Sequence, residues 1–169
     1  MTIHVRSFPP IAMSDAHALI LGTMPGKVSL REQQYYAHPQ NAFWRIVGEI
    51  LGFDAASPYE SRTRALASAG FALWDVLKSC QREGSLDSDI DSSTLVPNDF
   101  AAFFASHRQI RCVFFNGAKA EALYMRHVRL VVSNGDGLVY VRLPSTSPAN
   151  ASIPIAAKLC AWRRLASDR

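Results

Sequence analysis

The chain predicts an α/β fold, a three-layer α/β/α sandwich built on a mostly parallel central sheet of about four strands. Apolar runs with little polar alternation recur at 17–21 (HALIL), 71–74 (FALW) and 110–115 (IRCVFF), as in strands covered on both faces. Segments of helical spacing separate those runs, and each run ends in a polar or glycine-containing break. With 169 residues, 49% of them apolar and 19% charged, the chain reads as one domain over 1–169 with a single core.

Residues 1–16, with Pro9-Pro10 and Ser14-Asp15, read as a surface arm preceding the first strand at 17–21. The stretch 22–44, GTMPGKVSLREQQYYAHPQNAFW, is a long connection rich in aromatic and amide side chains, which a compact domain rarely carries unless it binds something. It leads into a helix whose inner face holds Ile46, Val47, Ile50 and Leu51. Gly52 and Ser57-Pro58 break the pattern before a second helix over 59–69, stopped by Gly70. The strand 71–74 ends at Asp75, and the polar stretch 76–97 reads as a long loop with a short turn of helix.

Asn98 is a plausible N-cap for a helix over 99–106. After the strand 110–115, Asn116-Gly117 breaks the chain before a helix over 118–125. Extended segments at 130–132 and 138–143 flank a turn at 134–137, and PSTSPANAS (144–152) leads into a last helix over 153–165.

The net charge of +4 and pI near 9.2 lean weakly toward a polyanionic partner. Cys80, Cys112 and Cys160 form no C-x-x-C pair, which excludes a zinc ribbon or a four-thiolate cluster; neither metal nor cofactor is expected. No run approaches the length of a membrane helix and the N-terminus lacks a signal-peptide pattern, so a cytoplasmic protein with reduced thiols is expected. In a doubly wound sheet the ligand crevice lies beyond the carboxyl ends of the strands. The segments leaving those ends are 22–41, Asp75, Asn116-Gly117 and 144–150.

GTMPG (22–26), YYAHPQNAFW (35–44), GFALWDVLKSC (70–80), VFFNGAKA (113–120) and LPSTSPAN (143–150), in that order, resemble the uracil-DNA glycosylase superfamily. More narrowly they resemble its hypoxanthine-DNA (deoxyinosine) glycosylase branch. The resemblance implies a base-flipping enzyme that takes DNA with a deaminated base, hydrolyses the N-glycosidic bond and leaves an abasic site without a cofactor; a monomer with no membrane association is expected.

Such work requires a grip on the backbone and a pocket for the extruded base. Gly22, Thr23, Gly26 and Ser29 can offer approachable N–H groups and hydroxyls to phosphate, or form an ordinary turn after a strand. Ser145, Thr146, Ser147 and Asn150 would make a second grip, with Pro144 and Pro148 shaping a wedge. Phe43 corresponds to the ring expected to stack on the base, Trp44 to core, and Tyr35 and Tyr36 to pocket wall or packing. Asn41 is the expected catalytic residue, its amide oxygen holding the attacking water; the competing reading is a helix N-cap. Asp75 matches the place where relatives read the base, or caps a turn; Asn116 and His38 are further contacts.

The sequence departs from relatives at Met24, where uracil-directed branches carry Asn or Asp, and at Leu143, where the classical branch carries His. Strong uracil excision is therefore not expected, and hypoxanthine is the preferred lesion. A uracil or mismatch glycosylase, or a non-catalytic nucleic-acid-binding module of the same fold, remain the alternatives. A two-metal phosphoesterase is disfavoured for want of clustered carboxylates and histidines.

Overall fold

The computed structural model describes residues 3–132 and 137–167. Four parallel strands form the central sheet: β2 (Ala18–Gly22), β3 (Phe71–Asp75), β6 (Cys112–Asn116) and β7 (Val139–Leu143), in the order β3-β2-β6-β7. Every residue of β2, β3 and β6 is buried, as a sheet covered on both faces requires. Helices α2 (Phe43–Leu51), α3 (Tyr59–Ser68), α5 (Ala118–His127) and α6 (Ile155–Trp162) supply that cover, with α3 on β3, α5 on β6 and β7, and α6 on β7.

The register sets the site. Gly22 pairs with Asp75 and Asn116 with Leu143, so the strands end nearly level and their last residues form one row. From β2 the chain goes first to one neighbour, β3, and then crosses to the other, β6. That reversal opens a crevice over the end of β2, where Gly22 stands.

Two stretches expected to be irregular are ordered in a second sheet. The N-terminal arm holds β1 (Ile3–Arg6), and 76–97 holds β4 (Leu77–Arg82), a 3-10 turn (Asp87–Asp89) and β5 (Val96–Pro97). They form an antiparallel sheet with β4 in the middle. Neither stretch has the long apolar run of a core strand: β4 mixes buried Leu77, Ser79, Cys80 and Arg82 with exposed Lys78 and Gln81. The arm also caps the sheet edge: Ile11 and Leu73 exchange backbone hydrogen bonds at 2.9 and 2.8 Å.

Other boundaries shift modestly. The N-cap of α4 (Phe100–Ser106) is Asp99, whose carboxylate accepts from the Ala102 N–H at 3.0 Å. Asn98 instead donates to the Asp75 carbonyl at 2.8 Å. The connection 22–44 contains a short helix, α1 (Lys27–Glu32), which its glycine- and serine-containing sequence did not signal. Residues 130–131 form a turn in place of the expected strand, and the last helix divides into α6 and α7 (Arg164–Ser167). Of the turn expected at 134–137, residues 134–136 lie outside the described residues.

Candidate active site

A cavity of about 1000 Å³ opens over the carboxyl ends of the strands, large enough for a nucleobase with its sugar. Gly22, Asp75, Asn116 and Leu143 stand at the strand ends, and the loops 22–41, 85–88 and 144–150 complete the wall. Fourteen of the fifteen sequence-predicted site residues line it: Gly22, Thr23, Met24, Gly26, Ser29, Tyr35, His38, Asn41, Asp75, Asn116, Ser145, Thr146, Ser147 and Asn150.

Phe43 is the exception, and its expected stacking role is corrected. It begins α2, is wholly buried, and lies under the Tyr36 ring with centroids 4.0 Å apart and planes 20° from parallel. Tyr36 lines the cavity in its place, supported from behind by Phe43 and held at a φ of 55°. Neighbouring aromatics in a sequence offer no signal of which ring faces the cavity; the left-handed turn at Tyr36 decides it.

Asn41 is held by three loops at once. Its Oδ1 accepts from the Phe43 N–H at 3.0 Å and from the Thr146 hydroxyl at 2.8 Å. Asn116 in turn donates from Nδ2 to that hydroxyl at 2.9 Å and accepts the Thr146 N–H at 2.9 Å, and the Thr146 carbonyl accepts the Ala42 N–H at 3.0 Å. Because a backbone N–H can only donate, the amide orientation is fixed with oxygen toward α2. The oxygen thus has both lone pairs engaged, and the amino group is the part with no protein partner among the described residues. Asn41 stands one residue before Ala42, the N-cap of α2, and satisfies the helix's first N–H through its oxygen, while its amino group stays available.

Asp75 is buried at the end of β3. Its Oδ2 accepts the Ser7 hydroxyl at 2.6 Å, a contact 68 residues away in sequence. Its Oδ1 and the Tyr36 hydroxyl meet over Gly22: a Cβ there would lie 2.6 Å from the first and 2.8 Å from the second, so only glycine admits both. Burial pushes the Asp75 carboxyl up to about 7, against the Ser7 hydrogen bond; Asp87 adds to the rise and Arg82 opposes it. The Tyr36 phenol is pushed up as well, chiefly by burial and then by Asp75, and it makes no hydrogen bond of normal length.

The remaining residues divide into wall and rim. The Tyr35 hydroxyl donates to the carbonyls of Pro9 and Phe8 at 3.0 and 3.2 Å, and its own carbonyl accepts from Trp44 Nε1 at 2.8 Å, so it is structural wall. The buried Ser29 hydroxyl accepts the Ala37 N–H at 3.1 Å and shapes the 33–37 turn. Buried Met24 and Leu143 bring only apolar surface. Gly26 has open space where a Cβ would stand, so no steric contact requires glycine there. His38 Nδ1 accepts from the Gln40 N–H at 3.2 Å, which leaves Nε2 as the outward nitrogen.

Ser145 and Ser147 accept backbone N–H groups of their own turns at 3.2 Å and keep their hydroxyl protons to donate. Asn150 braces that loop by donating to the Ser145 carbonyl at 3.2 Å.

Sequence reading missed Ser7 and gave Tyr36 only as pocket wall or packing; the 85–88 segment closes one side of the cavity. That segment is tied down where Ser85 Oγ accepts the Lys27 N–H at 3.2 Å and by buried Arg82, which donates to the Pro25 carbonyl. Among the described residues no cluster of His, Cys, Asp or Glu could hold a metal ion, the three cysteines form no disulfide, and no helix is long and apolar enough to cross a membrane.

The chain is similar to known proteins over most of its length. A hypoxanthine DNA glycosylase of Methanosarcina barkeri is 40% identical over 116 residues, 68% of this chain and 72% of that protein. A hypoxanthine DNA glycosylase of Methanosarcina acetivorans is 38% identical over 146 residues, 86% of this chain and 87% of that protein. A solution NMR structure from M. acetivorans, provisionally named a uracil DNA glycosylase, superposes with a TM-score of 0.79 at 34% identity, over 97% of this chain and 99% of that one. The profile of the Uracil DNA glycosylase superfamily matches residues 9–166, and on these grounds the chain belongs to that superfamily, in its hypoxanthine-DNA glycosylase branch.

Proposed function

We propose that this protein is a DNA glycosylase that extrudes a deaminated base, hypoxanthine above all, and hydrolyses its N-glycosidic bond to leave an abasic site. The observation that carries the reading is the convergence of Asn41, Tyr36, Asp75 and Asn116 on one base-accepting cavity at the strand ends, in a chain whose relatives are named for that activity. The extruded base stacks on Tyr36, a contact worth about 1 to 3 kcal/mol in comparable systems. Asp75 meets its oxo edge, and the Ser145 and Ser147 hydroxyls donate to phosphate.

Breaking the bond between sugar and base leaves positive charge on C1′ and sends the bonding electrons out with the base. An amide is no base, so Asn41 works by placing the water that attacks C1′. With its oxygen committed to Phe43 and Thr146, the contact to water runs through the amino group. The water oxygen bonds to C1′, and its surplus proton ends on the departing base. Met24 and Leu143 add no polar group to this chemistry, in keeping with a preference for hypoxanthine over uracil.

The test is alkali cleavage of labelled duplexes after incubation with the protein. Strand scission at deoxyinosine, with a matched deoxyadenosine duplex intact, is the expected result. No scission above background at stoichiometric protein overturns the reading, and scission at uracil alone replaces hypoxanthine by the uracil alternative.

A further inference from the structure

Ser7 lies on the N-terminal arm, outside every motif that carries the family resemblance, yet it is the one described side chain that hydrogen-bonds the Asp75 carboxyl. The arm is not free to drift. Strand β1 pairs residue by residue with β4, Ser7 N–H donates to the Lys78 carbonyl at 2.9 Å, and the Phe8 carbonyl accepts Trp74 Nε1 at 3.1 Å. Asn98 holds the backbone of Asp75 from the other side. Both the main chain and one oxygen of Asp75 are therefore clamped, and the second oxygen stands over Gly22 beside the Tyr36 hydroxyl.

We infer that Ser7 is a specificity-determining positioning residue: by occupying Oδ2 of Asp75 it leaves Oδ1 as the oxygen that reads the oxo group of the extruded base. The inference rests on the cavity being a base pocket. Its physical content is a matter of proton placement. An oxygen that already accepts the Ser7 proton is a poor place for a second one, so a neutral Asp75 carries its own proton on Oδ1 and donates into the cavity. Deamination turns the exocyclic amino donor of adenine into the oxo acceptor of hypoxanthine. A donor at Oδ1 pairs with the oxo group and meets the amino group donor to donor, leaving both unpaired. A neutral donor also avoids opposing the negative charge gathered by the departing base.

The groups around Asp75 permit that state near neutral pH. Burial and Asp87 on the 3-10 turn favour the neutral carboxyl, whereas Ser7 on the arm and Arg82 on β4 favour the ionised one. Tyr35 and Tyr36 on the connection after α1 and Tyr59 on α3 also sense Asp75, and burial keeps all three phenols un-ionised.

The experiment compares the full chain with Ser7→Ala and Ser7→Thr, checking thermal stability of each. Single-turnover release of hypoxanthine from an inosine duplex is followed across neutral pH, in parallel with an NMR titration of the ¹³C-labelled Asp75 carboxyl. The unaltered protein should lose activity as pH rises through about 7, as Asp75 ionises. Ser7→Ala should be slower by roughly tenfold at the low-pH plateau, the loss of about one hydrogen bond. Because Ser7 favours the ionised form, the variant's midpoint should move up, and Ser7→Thr, which keeps the hydroxyl, should restore both. A Ser7→Ala protein with unaltered rate and midpoint overturns the inference, as does a Ser7→Thr protein as impaired as Ser7→Ala. If the unaltered protein releases no hypoxanthine, the proposed function fails, and the NMR arm still decides: an upward-shifted Asp75 titration in Ser7→Ala supports the Ser7 assignment and an unshifted one ends it.

Discussion

Asn41 serves two purposes through one amide, and its two ends can be separated by substitution. The oxygen accepts the first N–H of α2 and the Thr146 hydroxyl, while the amino group has no protein partner among the described residues. Asn41→Asp keeps both acceptor contacts and removes the amino group; Asn41→Ala removes everything. The aspartate variant should melt within a degree or two of the unaltered protein yet excise hypoxanthine on the order of 10²-fold more slowly. The alanine variant should lose excision as well as about 1 kcal/mol of capping, or a few degrees in Tm. Comparable excision by Asn41→Asp would mean that the oxygen, not the amino group, handles water. Asp75 makes a second residue-scale prediction. Its carboxyl holds its proton more tightly folded than unfolded, so its contribution to stability is full below the ordinary value of 3.8 and is lost as pH rises toward about 7. Asp75→Asn, which cannot ionise, should therefore raise Tm more at pH 8 than at pH 5; melting curves with an equal shift at both would contradict the placement of a neutral carboxyl there.

Among the elements, the one that joins the site is the loop after β7, through Thr146. Its hydroxyl and backbone link Asn116 at the end of β6 to Asn41 at the start of α2. Thr146→Ser should keep near-normal excision, and Thr146→Val, isosteric but without the hydroxyl, should slow it by tenfold or more and lower Tm by several degrees, since buried Asn116 and half-buried Asn41 each lose a partner. Single-turnover kinetics on the two variants check this, and equal rates would show that the link is decorative. The same loop explains what was legible beforehand. Strands β2, β3 and β6 announce themselves because burial on both faces demands unbroken apolar runs, and their ends therefore mark the crevice. Strands β1 and β4 do not, since β1 buries only Val5 and the buried positions of β4 include Ser79 and Arg82. Ser7 was invisible for the same reason: a serine in an irregular-looking arm gives no hint that pairing 68 residues away brings it to Asp75.

For the whole molecule, the design is a parallel sheet whose level strand ends, with the loops that leave them, bring Asn41, Asp75, Asn116 and Thr146 to a common rim, with the second sheet acting as a brace. The gathering of Asn41, Asp75, Asn116 and the serine-rich loop was readable from their positions after strands. The assignment of Phe43 was not, because which of two neighbouring rings reaches the cavity depends on the positive φ at Tyr36, an angle that tyrosine rarely adopts and sequence does not advertise. Whether the cavity receives an extruded purine is measured most directly by a crystal structure of the protein on a duplex carrying a deoxyinosine whose sugar is fluorinated at the 2′ position to block cleavage. It should place the hypoxanthine outside the helical stack, flat on Tyr36, with its oxo group against Oδ1 of Asp75 and its C1′ beside the Asn41 amide. A base still paired within the duplex, or lodged away from Tyr36 and Asp75, would contradict the proposed function.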